Sequence, residues 1–352
     1  MTTSIAILGL GAIGTVMAAH WRGLEVYCVP KQAANSHSDE ARQPCNVQRR
    51  LQLSEATRSA FSDSAFGPGT SSHASELNQE PHSSPQSELE LELPCWDGKQ
   101  PIDWLVVTTK AAHTLTALQT LHQHSEALNK VQRILLLQNG MGQQQAVQQW
   151  LQQQNLTMEL WLGTSTDGAF LMPDKDNPVR SYCYAGLGEV LVGRALQTPG
   201  QELLAVNTPL PPHLKFVPDI QQRLINKLAV NIVINPLTAL YQCLNGELVS
   251  NTAYHQHFLA LANEVLEASK LLEWQLPDDF VQRVTLVAQK TAANRSSTLQ
   301  DIIAGRPTEL AYILGYLLIQ VSQLPEEQQP SIPETRKLAE QLQGKGLTVW
   351  PQ

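Results

Sequence analysis

No run in this chain approaches about 18 uninterrupted apolar residues, so a membrane span is not expected. Lysine and arginine are not clustered and the formal net charge is −8. That excludes a general nucleic-acid or anionic-membrane binder, whose surface needs grouped cations, while leaving room for local basic pockets. A CxxC pair is also missing. The cysteines, Cys28, Cys45, Cys95, Cys183 and Cys243, are odd in number, which argues against a disulfide framework and a zinc site and suits a reducing cytoplasm. The N-terminal MTTSIAILGLGAIG has no basic segment and three glycines interrupt its apolar run, so a secretory signal is not expected. Histidine, aspartate and glutamate are nowhere spaced as ligands, and no metal is expected.

What remains is a chain of 352 residues with 42% hydrophobic content, long enough for two cores. We place the domains at 1–218 and 219–352. The first third alternates strand and helix. Ser4 to Leu8 reads as a β-run, followed by Gly9, Leu10, Gly11, Ala12, Ile13 and Gly14 and then a helical stretch to about Arg22. This is the dinucleotide-binding fingerprint in its required setting: Gly9 for the tight turn, Gly11 for backbone approach to a pyrophosphate, Gly14 for close packing of helix on strand. The next strand, Glu25 to Val29, ends without the acidic residue that would hold the ribose hydroxyls of NAD. Pro30 and Lys31 stand there instead, and a cation suits the 2′-phosphate of NADP.

Residues 32 to about 88 break the rhythm. Polar residues dominate, apolar periodicity is faint, and the stretch reads as a disordered or loosely held surface insertion with scattered histidines and no ligand set. Regular structure resumes with Leu89 to Leu93. Further strands end at Lys110 and Asn139, which brings both beside the cofactor crevice at the carboxyl ends of the sheet. The segment WLGTSTDGAF reads as one more strand and turn, placing Gly163 to Ala169 at the same rim.

Beyond Asp219 helical periods run over 220–235, 252–273, 278–293 and 307–322, so an all-α domain follows the α/β one. Between the two domains lies the default substrate cleft. The most informative run is RLINKLAVNIVINPLTAL (223–240). Lys227 and Asn231 lie one turn apart on a helix that is otherwise apolar nearly all round, and a buried ammonium there needs partners or a wet cavity. Pro236 predicts a break or kink at Asn235. Farther on, Pro307 suits the first helical position, which puts Glu309 in a first turn, where the helix dipole favours a carboxylate.

The fingerprint GLGAIG, the strand end TTKA, the turn LQNGMG, the run NKLAVNIVINPLTAL with NGEL, and SSTLQDIIAGRPTEL together resemble the ketopantoate reductase family, in order and over almost the whole chain except 32–88. The resemblance implies NADPH-dependent reduction of 2-dehydropantoate, with Lys227 as proton donor. It also implies Asn231, Asn235, Asn245 and Ser297 at the substrate and Asn139 shared by substrate and cofactor. Gly9 to Gly14, Lys110, Ala169 and Glu309 fall near NADP, and Glu309 would also meet the substrate hydroxyl. The implied partner is a small 2-oxo acid, and the protein a cytoplasmic monomer or homodimer. Departures are Lys31, where an arginine often grips the 2′-phosphate, Asp167, where a histidine is common, and the insertion itself. Another NADP-dependent 2-oxo acid reductase and a non-catalytic dinucleotide sensor stay open as alternatives.

Overall fold

The computed structural model describes residues 3–30, 46–61, 88–172, 179–195 and 209–350. An α/β part comes first: β1 (Ser4–Leu8), α1 (Ala12–His20), β2 (Glu25–Val29), β3 (Asn46–Leu53), α2 (Glu55–Arg58), β4 (Glu88–Pro94), β5 (Ile102–Val107), α3 (Ala111–Ser125), β6 (Val131–Leu136), α4 (Gln143–Gln153), β7 (Glu159–Ser165), β8 (Gly168–Leu171), β9 (Arg180–Gly186), β10 (Val190–Arg194) and β11 (Leu214–Phe216). Helices follow: α5 (Ile220–Tyr241), α6 (Glu247–Ser250), α7 (Thr252–Leu271), α8 (Phe280–Lys290), α9 (Ser297–Ile303), α10 (Leu310–Ser322) and α11 (Pro333–Gly344). The chain is thus a Rossmann-like α/β domain followed by an all-α domain. By packing, one compact unit holds Met1–Thr109, Ala117–Leu137 and Leu156–Pro218, and the other holds Lys110–Thr116, Gln138–Asn155 and Asp219–Gln352. Lys110 and Asn139, which a single cut at residue 218 leaves with the first domain, are therefore built into the helical unit.

The first unit carries a seven-stranded sheet in the order β11-β10-β7-β6-β5-β1-β2 and a four-stranded sheet in the order β4-β3-β9-β8. Strands β2, β1, β5, β6 and β7 run parallel. Such strands are covered on both faces, which is why IDWLVV and SIAIL read as near-continuous apolar runs with most residues buried. The sheet changes winding direction between β1 and β5, the place where open α/β sheets bind ligands.

The second sheet corrects the reading of 32–88. Asn46–Leu53 is a strand, antiparallel to β4 and parallel to β9. Leu51 and Leu53 are buried, and they share a core with Phe61, Tyr182 and Tyr184. Burying each leucine stabilises by about 2 kcal/mol. The sequence hid this strand because Gln48, Arg49, Arg50 and Gln52 fill the positions between its apolar residues. Residues 32–45 and 62–87 lie outside the described residues. Another correction concerns cysteine: Cys95 is disulfide-bonded, while Cys28, Cys183 and Cys243 are free thiols. An odd count argues against a framework of bridges but does not forbid a single one.

Helix α5 runs unbroken through Pro236 to Tyr241, against the expected break. Proline removes one helical hydrogen bond and crowds the preceding turn at a cost of about 3 kcal/mol. Burial of Ile232, Val233, Leu237 and Ala239 offsets it, and the Thr238 hydroxyl donates to the Asn235 carbonyl at 2.9 Å. This 22-residue helix is long and apolar enough to span a membrane, with a mean hydropathy of 1.3 over an 18-residue window, but 61% of that window is buried inside the protein. Its neighbours are α7, α9, α10 and α11, so it serves as the core helix of its unit.

Candidate functional site

In the first unit the glycine turn links β1 to α1. Gly9 has φ +99°, and a Cβ there would stand 2.7 Å from the Thr109 amide nitrogen. At Gly14 a Cβ would meet Thr108 Oγ1 at 2.7 Å and the Gly9 carbonyl at 2.8 Å. Both positions are thus closed to other residues by the turn and by the residues that follow β5, where the Thr108 hydroxyl donates to the Gly9 carbonyl at 2.6 Å. Gly11 differs. Among the described residues a Cβ there finds only one atom within 4 Å, the Gly9 carbonyl at 3.9 Å, so the missing side chain leaves open space. Helix α1 then begins at Ala12 with Gly11 as its cap, no capping side chain and no acidic residue in its first turn. First-turn N–H groups without an internal partner, beside open space, fit a pyrophosphate. Leu10, Ala12 and Ile13 are half-buried around this turn. Lys31 lies outside the described residues.

Ala169 is half-buried on β8 and packs on the core beside α1. The expected single strand at WLGTSTDGAF is in fact two: β7 stays in the large sheet, and β8 crosses to the small one. Asp167 makes the corner between them. Its Oδ1 accepts from the Tyr184 hydroxyl (2.6 Å) and the Gly188 amide (2.9 Å), and its Oδ2 from Ser165 Oγ (2.7 Å), with His213 Nε2 at 3.0 Å. Burial alone would raise the Asp167 pKa, but these hydrogen bonds outweigh it and hold the carboxyl well below the usual range. The same surroundings push the Tyr184 phenol up, burial first and the Asp167 bond second. His20 stacks on His213 with centroids 3.8 Å apart, and burial followed by that second imidazole lowers its pKa to about 4. Position 167, where a histidine is common in the resembled family, therefore carries an anion that ties β7 and β9 to the segments holding Gly188 and His213.

The second unit gathers the remaining polar residues. Lys227, Asn231 and Asn235 follow one another at intervals of four along α5, so they form one stripe. Asn235 is buried and its Nδ2 lies 3.4 Å from Ser297 Oγ at the start of α9. A 2.6 Å hydroxyl pair between Thr238 and Ser296, the cap of α9, fixes the same junction. Asn245 is 7% exposed, and its Nδ2 donates to Thr291 Oγ1 at 2.9 Å. Thr291 spends its own proton on the Val287 carbonyl, so the buried Asn245 Oδ1 keeps an unmet acceptor.

One turn beyond Ser297, Asp301 is almost wholly buried and accepts from Lys110 Nζ at 2.5 Å and from Arg306 Nε at 3.0 Å. Glu309 completes the cluster. Its Oε1 accepts from the Ala111 amide at 3.1 Å, its Oε2 from Asn139 Nδ2 at 3.5 Å, and Lys110 Nζ lies 3.7 Å away. The expectation of a first-turn glutamate in its own helix needs correction: α10 begins at Leu310 with Glu309 as its cap residue, Pro307 lies before the helix, and the carboxylate serves the first amide of α3 instead. The helix start that this carboxylate favours is that of α3. Two cations and two carboxylates meet here, so each carboxylate has a cationic neighbour within 4 Å. Asp301 and Arg306 were passed over as candidates, although both lie inside the SSTLQDIIAGRPTEL run. Among the described residues no group of histidine, cysteine, aspartate and glutamate could hold a metal.

Comparison with known proteins identifies the family. Residues 5–195 match the family described as Ketopantoate reductase PanE/ApbA, and residues 219–343 match Ketopantoate reductase PanE/ApbA C terminal. A curated 2-dehydropantoate 2-reductase of Vibrio cholerae is 36% identical over 222 residues, 61% of this chain and 70% of the relative. Among solved structures, D-mandelate dehydrogenase with NADH superposes with a TM-score of 0.67 at 19% identity, covering 98% of this chain and 100% of that one. A dimeric ketopantoate reductase from Staphylococcus aureus gives 0.62 at 15% identity, covering 97% and 98%. At those identities the two structures speak for the fold alone. With both parts of the family matched in order and the family's motifs standing in the glycine turn, the α5 stripe and the α9–α10 cluster, this chain belongs to the ketopantoate reductase family.

Proposed function

We propose that the protein reduces the 2-oxo group of 2-dehydropantoate to (R)-pantoate with NADPH. When bound, NADPH supplies the hydride that goes to C2 of the substrate. Gly9, Leu10, Gly11, Ala12, Ile13 and Gly14 would carry the pyrophosphate, with Lys31, Lys110, Asn139, Ala169 and Glu309 toward the rest of the cofactor. The open space at Gly11 supports this fit.

Lys227 donates a proton from Nζ to the oxygen on C2 and offsets its developing charge before transfer. Asn231, Asn235 and Ser297 hold the acid along the α5 stripe, Asn139 reaches both substrate and cofactor, and Asn245 offers its unmet acceptor to a substrate donor. Glu309 accepts from the 4-hydroxyl, which favours this acid over analogues lacking it. The observation that carries the reading is the Asn235–Ser297 contact, which seats the α9 motif directly on the α5 stripe. We place the protein in the cytoplasm as a monomer or homodimer, which light scattering after gel filtration distinguishes.

The test is NADPH oxidation by purified protein with 2-dehydropantoate, pyruvate and 2-oxoisovalerate. A preference for 2-dehydropantoate is expected. Equal turnover of all three would make it a general 2-oxo acid reductase, and no turnover with NADPH still bound would make it a sensor.

A further inference from the structure

The strand that polar residues concealed, β3, carries an arginine to the glycine turn. Arg49 Nε donates to the Leu10 carbonyl at 3.4 Å, and Leu10 stands between Gly9 and Gly11. Its Nη1 donates to the Gln48 carbonyl at 2.7 Å, so carbonyls take two of its five guanidinium donors among the described residues, and a guanidinium so placed can turn its remaining donors to an anion. The parallel pairing of β3 with β9 sets Arg49 directly beside Arg180, and Leu51 beside Tyr182. Residues two apart on a strand share a face. Arg49, Arg180, Leu51 and Tyr182 therefore all point one way, and Tyr182 confirms the direction: its hydroxyl also donates to the Leu10 carbonyl, at 3.4 Å.

Neighbouring Arg50 faces the other way and is neutralised by Glu90 at 3.3 Å and Glu88 at 3.8 Å. Among the described residues neither Arg49 nor Arg180 has a carboxylate partner within 4.0 Å. Two cations side by side without an anion repel each other unless a ligand supplies one. Arg49 also lies near the end of β2. Burial raises the Cys28 thiol pKa there, and the Arg49 charge acts against that rise. No carboxylate occupies this strand end, which runs Tyr27, Cys28, Val29, Pro30. A group between the glycine turn and the end of the second strand is where a dinucleotide's adenosine ribose sits.

We infer that Arg49, assisted by Arg180, binds the 2′-phosphate of NADP and sets the preference for NADP over NAD. This rests on the reading of the glycine turn as the NADPH site and adds the residues that select the cofactor. A planar guanidinium offers a fork to phosphate oxygens, and a second arginine suits a group carrying close to two charges.

The test is titration calorimetry of NADP+ and of NAD+ with the unaltered protein and with Arg49→Gln, Arg49→Lys, Arg180→Gln and Arg50→Gln. Removing a charge-assisted bond predicts ten- to hundredfold weaker NADP+ binding in Arg49→Gln, with NAD+ affinity within about twofold. Arg180→Gln should show a smaller loss of the same kind, Arg49→Lys should fall between, and Arg50→Gln should match the parent. Equal weakening of both nucleotides in Arg49→Gln, or none, overturns the inference. So does a parent protein that binds NAD+ as well as NADP+. Binding of neither by the parent would instead refute the proposed NADPH site itself. Should Arg49→Gln fail to fold, Arg49→Lys and Arg180→Gln decide the matter by the NADP+ to NAD+ ratio alone.

Discussion

The glycine turn of the α/β unit and the polar cluster of the helical unit are built by opposite means. At the turn, the defining property is missing matter: at Gly9 and Gly14 the backbone and residues Thr108 and Thr109 fill the space a side chain would take, and at Gly11 that space stays open among the described residues. In the cluster, everything depends on side chains gathered from β5's end, α5, α9 and the α10 cap. A site made of absences tolerates no added atom, whereas a site made of charges tolerates no removed one.

The largest expected effect tests the second half of this contrast. Lys227→Ala should lower kcat by roughly 10²–10⁴-fold with the helical circular dichroism unchanged. Activity equal to the parent's would remove Lys227 from the chemistry. Next comes Asp301→Ala, which leaves Lys110 and Arg306 without their shared buried anion. We expect a loss of about 3 kcal/mol in urea unfolding and a higher KM for NADPH, since Lys110 loses its anchor. A stability loss with unaltered KM would mean that the cluster only holds the fold.

For the turn, Gly14→Ala and Gly11→Ala should part company. The first places a methyl group 2.7 Å from Thr108 Oγ1 and 2.8 Å from a backbone carbonyl, and should destabilise by about 1–3 kcal/mol. The second meets nothing closer than 3.9 Å among the described residues, so it should leave the melting temperature nearly unchanged while weakening NADP+ binding about tenfold. Identical behaviour of the two would erase the distinction between packing and vacancy.

The smallest effect concerns acid. Because the folded protein lowers the His20 pKa from 6.5 to about 4, the unfolded chain binds the extra proton between those values. Stability should therefore decline as pH falls from about 6.5 toward 4, by at most about 3 kcal/mol. Asp167, depressed below its ordinary value of 3.8, adds a further loss only as pH drops through that value. Urea midpoints at pH 7, 5 and 3.5 would resolve the two windows, and His20→Phe should flatten the first.

Much of the fold was legible where periodicity and breakers agree: β1, α1, β5 and the helices beyond 219 follow from apolar patterning and glycine placement. Misreadings arose where a distant neighbour overrode local preference. Pro236 should end a helix, yet burial on the flanking turns carries α5 through it. Asn46–Leu53 looks like coil by composition, yet pairing with two strands and a buried edge of leucines makes it sheet. Glu309 suits its own helix start, yet it serves the first amide of α3, 198 residues earlier in the chain.

Composition and motif alone determined that the chain has a phosphate-compatible glycine turn, a polar stripe on an apolar helix and an all-α second half, since each depends on residues within a few turns of one another. Only tertiary structure decided which charges meet. Lys110 and Asp301 stand 191 residues apart and bond at 2.5 Å, and Arg49 reaches Leu10 across 39 residues. No local pattern encodes such pairs, because Coulomb and hydrogen-bond energies depend on separation in space and the chain sets that separation only when its cores close.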